Sequence, residues 1–106
     1  MKIYGIKNCN TMKKAFDLLE SKGISYEFVD YKKQKPSTEL LEKFSEKLGF
    51  ESLVNKKGTT YRQLSEEEKA QLTSKDTAFP LLSEKSSMLK RPIFEYADGK
   101  LSFELV

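Results

Sequence analysis

The chain has 106 residues, enough for one compact domain, with 38% apolar residues, 33% charged residues and a formal net charge of +3, which permits contact with anions without implying nucleic acid. No apolar run approaches the ~18 residues of a membrane span, and the N-terminus MKIYGIKNCN lacks the apolar stretch of a secretory signal. One cysteine and no histidine exclude an internal disulfide, histidine-dependent triads and dyads, and zinc or histidine-based metal sites, and a lone thiol without a signal predicts a reducing cytoplasm.

In chain order, Lys2-Ile3-Tyr4-Gly5-Ile6 reads as a short strand. Lys7-Asn8-Cys9-Asn10 is a loop, and Thr11 or Asn10 is the expected N-cap of a helix over residues 11–22. Ala15, Leu18, Leu19 and Lys22 recur there at helical spacing, and Gly23 sits where a helix-ending glycine belongs. Residues 24–31 read as a second strand with Tyr26 and Phe28 on one side and Val29 and Tyr31 on the other. Bulk on both sides suits a buried parallel strand, so the chain opens with a right-handed βαβ unit. After the basic loop Lys32-Lys33-Gln34-Lys35-Pro36, Ser37 caps a helix with Leu40, Leu41, Phe44 and Leu48 on one face and Gly49 at its end.

Residues 50–57 read as a short helical turn around Leu53 and Val54. Ser65-Glu66-Glu67-Glu68 is a capping box opening a short helix with Ala70 and Leu72. Residues 78–89 read as partly helical, with Pro80 in the first turn. Finally Ile93-Phe94-Glu95-Tyr96 and Leu101-Ser102-Phe103-Glu104-Leu105 flank Ala97-Asp98-Gly99-Lys100, and Asp-Gly between alternating runs is a strong hairpin signal. The expected architecture is α/β in a single domain spanning residues 1–106. It has a βαβ start, a helical middle, a C-terminal ββ hairpin and a four-stranded mixed sheet.

Three features could carry chemistry. Cys9 lies between a strand and a helix start, where N–H groups and the helix dipole favour a thiolate. A free thiol ionises at a pKa of about 8.5, but at helix N-termini near cations the value falls to about 3.5–7.5. Lys7, Lys13 and Lys14 push the same way. The competing reading is a small core-filling residue, against which the flanking Asn8 and Asn10 argue. Lys90-Arg91-Pro92 offers a guanidinium fork for an oxyanion, although spacing alone favours a surface basic pair entering a strand. In Lys56-Lys57-Gly58-Thr59-Thr60-Tyr61-Arg62, glycine, hydroxyls and cations could line an anion site; a plain solvated loop fits as well.

The strings Ile3-Tyr4-Gly5-Ile6-Lys7-Asn8-Cys9-Asn10-Thr11 with Lys13-Lys14-Ala15, then Leu53-Val54-Asn55-Lys56-Lys57-Gly58-Thr59-Thr60-Tyr61-Arg62, then Leu89-Lys90-Arg91-Pro92-Ile93, in this order, resemble the arsenate reductase (ArsC-like) family. That family has a thioredoxin-like fold and includes YffB-type proteins and Spx-type transcription regulators. The YffB-type branch is the most similar. The resemblance implies that Cys9 is the nucleophile, that Arg91 orients and neutralises an oxyanion, and that Pro92 follows a cis peptide bond beside the cysteine. It implies that Asn8, Thr11 and Lys13 line the thiol loop, with Lys57 or Arg62 as further anion-binding candidates.

Departures from the arsenate-reducing members are specific. Lys13 and Lys14 stand where those enzymes carry an arginine after the cysteine, Asn55 stands at the middle arginine, and nothing after Arg91 is arginine. Many members also continue into a final helix past the position of Val106. The regulators carry Cys-x-x-Cys, whereas here the second position is Met12, so any disulfide must join Cys9 to another molecule. The expected activity is a thiol-dependent reductase without a resident cofactor, acting on a small oxyanion or thiol substrate. An external thiol such as glutathione would resolve the adduct. The alternative is an Spx-like RNA polymerase-binding regulator. A monomer with no direct DNA contact and no membrane association is expected.

Overall fold

The computed structural model describes residues 1–105. They form two compact units: residues 1–34 with the segment from Arg91 onward, and residues 35–90.

The first unit is the sheet unit. It holds β1 (Lys2–Gly5), α1 (Asn10–Ser21), β2 (Glu27–Asp30), β3 (Ile93–Glu95) and β4 (Leu101–Ser102). The strands form one mixed sheet in the order β2-β1-β3-β4. β1 runs parallel to β2 and antiparallel to β3, and β3 pairs antiparallel with β4. The sheet and the βαβ opening agree with the sequence reading. Ile3 and Phe94 pack against Met12, Ala15 and Leu19 of α1 as this unit's core. A fully buried side chain of this size contributes about 1.5–3 kcal/mol, so these few residues hold the helix to the sheet. The 3.6-residue spacing of Met12, Ala15 and Leu19 is what makes one face of α1 apolar. Phe16 extends that face, stacking on Tyr26 at 5.5 Å and meeting Phe28 edge-on at 5.0 Å.

The opposite sheet face carries Tyr4 and Tyr31, with ring centroids 6.5 Å apart. β2 is shorter than expected and lies at the sheet edge. Lacking a second neighbour, it keeps Glu27 exposed while Asp30 is buried. The Asp98-Gly99 turn forms as read: Gly99 takes φ 88°, and Tyr96 N–H donates to the Lys100 carbonyl at 2.9 Å. β4 ends at Ser102, earlier than the alternation suggests, because the Ser102 hydroxyl and Glu104 backbone bond each other locally and compete with the ladder.

The second unit is helical: α2 (Thr38–Leu48), α3 (Thr59–Arg62), α4 (Glu66–Gln71) and α5 (Lys75–Glu84), with 3-10 turns at Phe50–Leu53 and Ser86–Met88. Its core includes Leu41, Phe44, Leu53, Ala78, Leu82 and Met88. Ser37 caps α2 by accepting from Leu40 N–H at 3.1 Å, and Gly49 ends that helix at φ 89°. Two expectations are corrected here. The Thr59–Arg62 stretch is a helical turn, not a plain loop. It leans on the Thr60–Ser87 hydroxyl pair at 2.8 Å, a contact 27 residues away in sequence. α5 begins at Lys75, so Pro80 lies inside the helix. Ser74 starts it early, its carbonyl accepting from Ala78 N–H at 2.9 Å; Pro80 removes one bond of the helix and sets its ring against the preceding turn, while Ala78, Phe79 and Leu82 bury the helix.

Candidate active site

β1 delivers the chain to a tight loop. Asn8 sits at φ 61°, a left-handed conformation that asparagine tolerates better than most residues. That turn places Cys9 at the N-cap of α1, with extended φ −119° and ψ 131°, and its carbonyl accepts from Lys13 N–H at 2.9 Å. The helix therefore starts one residue earlier than read, and Cys9 replaces Thr11 or Asn10 as the cap. The reason is backbone shape: the Asn8 turn fixes the chain direction, so the first extended residue becomes the cap whatever its side chain. The consequence is chemical, because the sulfur sits directly at the helix start.

Cys9 is half-buried. Burial pushes its pKa up, but a hydrogen bond from the Arg91 guanidinium, the facing N–H groups of Met12 and Thr11, and the Arg91 charge outweigh it, leaving the thiol below its ordinary value. No close capping bond forms with the side chain. The two amides instead favour the thiolate through their dipoles, as the positive end of a helix does.

Arg91 reaches this place from the other end of the chain. Ile93 pairs with Tyr4 across β1 and β3, which brings the residues just before β3 beside the loop after β1. The Arg91–Pro92 peptide bond is cis. The remaining predicted residues divide between the units. Lys7, Asn8, Cys9, Asn10, Met12, Lys13 and Phe16 line one open cavity of about 440 Å³. Thr11 contributes its amide and not a lining side chain. Lys57 and Arg62 belong to the helical unit, where Lys57 N–H donates to Asn55 Oδ1 at 3.2 Å and Arg62 closes α3. The sheet unit alone supplies Cys9, Arg91 and the residues that line this cavity.

Sequence reasoning passed over Met12 and Phe16 as site residues. They lie three and seven positions after Cys9, on the face of α1 that Cys9 itself begins, and that spacing was the available signal. Met12 has a second duty: it is 1% exposed, and a Cβ at Gly5 would collide with its sulfur. Where a second cysteine of a Cys-x-x-Cys would stand, this chain has a thioether filling the space over a glycine.

The sequence matches the ArsC family over residues 4–102. A solved structure of a YffB protein superimposes with a TM-score of 0.88 at 36% identity, covering 96% of this chain and 88% of that one. An arsenate reductase related protein of Brucella melitensis gives 0.78 at 44% identity, covering 99% and 86%. An uncharacterized protein of Haemophilus influenzae is 40% identical over 98 residues, 92% of this chain and 84% of its own length. Among the described residues, no helix is long and apolar enough to cross a membrane.

Proposed function

The chain belongs to the ArsC family and has its thioredoxin-like fold, and on that premise we propose that it is a thiol-dependent reductase working through a single cysteine. The observation that carries this reading is the Cys9 sulfur at the start of α1, with the Arg91 guanidinium lowering its pKa. In a chain without histidine, the nucleophile must be activated through its own lowered pKa. Arg91 then meets the negative charge of the substrate, with Lys13 and Lys7 adding cations at the cavity rim.

The electrons come from an external thiol. With a disulfide substrate, the Cys9 thiolate attacks one sulfur, the other leaves as a thiolate, and Cys9 is held in a mixed disulfide. An external thiolate such as glutathione attacks the partner sulfur of that mixed disulfide and releases Cys9. With an oxyanion, Cys9 attacks the central atom and one oxygen leaves as water. A first external thiol attacks the Cys9 sulfur, and the central atom departs with the electron pair of its bond to that sulfur, two electrons reduced. A second external thiol attacks the resulting mixed disulfide, releases Cys9 as a thiolate and leaves with the first as one disulfide. Both routes need thiols kept reduced outside the protein, as in the cytoplasm.

Mass spectrometry of the protein incubated with arsenate and, separately, with oxidised glutathione tests this. The reading predicts a covalent adduct on Cys9, reversed by excess thiol and absent in Cys9→Ser. An unmodified Cys9 under all these conditions contradicts it.

A further inference from the structure

Tyr31 is 2% exposed, and among the described residues its Oη has no hydrogen-bond partner. Tyr4, stacked beside it, donates its hydroxyl to Glu95 Oε1 at 2.6 Å. A buried hydroxyl without a partner costs free energy that a phenylalanine would avoid, so its place in the fold is informative.

The register supplies that place. Asp30 pairs with Gly5 on one side of β1 and Ile93 with Tyr4 on the other. Tyr31 N–H continues the ladder, donating to the Gly5 carbonyl at 2.9 Å. Tyr31 directly follows β2 and Arg91 lies just before β3, the two strands that flank β1, at the end of β1 from which the Cys9 loop departs. Tyr31 lies two residues after Val29, the partner of Tyr4, and Arg91 two residues before Ile93, also a partner of Tyr4. Tyr31 is on the Tyr4 face, its ring stacked on that of Tyr4, and the Arg91 charge reaches its hydroxyl. Burial raises the pKa of the Tyr31 hydroxyl, the neighbouring Tyr4 raises it further, and the Arg91 charge opposes both. Those two side chains are the titratable groups it senses. The cation that acts on Cys9 is Arg91, and Lys7 and Lys13 line the same cavity.

We propose that Tyr31 is a positioning residue for the Cys9 site, its buried hydroxyl accepting an N–H of the Arg91 guanidinium when that group engages an anion at the sulfur. The guanidinium has several donors in a fixed fork. A fixed acceptor on the buried side keeps the outward donors aimed at the sulfur and its adduct. The inference rests on the proposed thiolate chemistry, and its test separates the two.

Wild type, Tyr31→Phe, Arg91→Ala and the double variant are compared by rates of alkylation against pH with neutral iodoacetamide and anionic iodoacetate. Tyr31→Phe keeps its fold, because the hydroxyl has no partner to lose, and its thermal midpoint is equal to or above the wild type. The expected result is about threefold less thiolate at neutral pH and a lower iodoacetate-to-iodoacetamide ratio. Neither change appears when position 91 is already alanine. If Tyr31→Phe titrates like wild type while Arg91→Ala moves the profile, the proposal fails and the thiolate reading stands. A Tyr31 effect that persists undiminished beside Arg91→Ala also overturns it. If wild-type Cys9 titrates as an ordinary thiol and neither variant moves it, both readings fall.

Discussion

The starts of α1 and α4 solve one problem in opposite ways. Ser65 at the head of α4 accepts from Glu68 N–H at 3.1 Å, and Glu68 Oε1 accepts from Ser65 N–H at 3.0 Å. The Ser65 amide, with its hydroxyl, holds the Glu68 carboxyl below its usual range. That helix start is closed on itself. At α1 the cap is Cys9, with no capping bond and no acidic residue in the first turn. Its N–H groups face a sulfur whose negative charge Arg91 also favours. Satisfied donors stabilise a helix, whereas donors left facing a reactive atom stabilise that atom's charge. The difference separates a helix start that holds structure from one that can run chemistry.

Cys9→Ser makes α1 more like α4 and gives the largest effect. Serine is a better N-cap than cysteine, so the variant folds at least as well while adduct formation and any thiol-dependent reduction disappear. Retained reductase turnover in Cys9→Ser would break the comparison at its root. Arg91→Ala comes next. Losing a charge-assisted hydrogen bond of about 1.5–3 kcal/mol raises the Cys9 titration midpoint by about one unit or more, read from the alkylation profile. Gly5→Ala tests Met12: its Cβ would strike the Met12 sulfur, with an expected loss of about 1–3 kcal/mol in denaturant unfolding.

Ser65→Ala then sharpens the contrast. Removing a side-chain cap costs about 1 kcal/mol and leaves the Cys9 alkylation profile unchanged. A shift in that profile would show that the two helix starts are coupled. The smallest effect is a pH dependence. Because the folded thiol titrates below its unfolded value of about 8.5, its charge stabilises the fold above that pH. The contribution is lost as pH falls through the folded pKa. The stability difference between wild type and Cys9→Ser therefore shifts in favour of wild type from pH 6 to pH 9, modestly, since Cys9 is only half-buried.

These same residues mark how far sequence reading reaches. The Ser65 box, the Ser37 cap with Gly49 and the Asp98-Gly99 turn were legible because each is a local bargain among neighbours in sequence. α3 was not, because the Thr60–Ser87 pair that supports it spans 27 positions. Nor was the cap of α1, which follows from the φ of Asn8 and not from capping preference. Within the site, the position of Cys9 near a helix start was readable from its neighbours. Its partnership with Arg91 crosses most of the chain, and spacing alone favoured a surface basic pair. The resemblance to a family supplied what local physics could not. Tyr31 read as an ordinary strand aromatic, since no local pattern shows that a hydroxyl is buried without a partner.

The central claim is that Cys9 is a thiolate near neutral pH because the α1 amides and Arg91 hold it so. The most direct measurement is the rate of Cys9 alkylation by iodoacetamide against pH, in wild type and Arg91→Ala. The account predicts a wild-type midpoint clearly below the free-thiol value of about 8.5 that moves upward in the variant. A wild-type midpoint at or above that value, unmoved by Arg91→Ala, would contradict it.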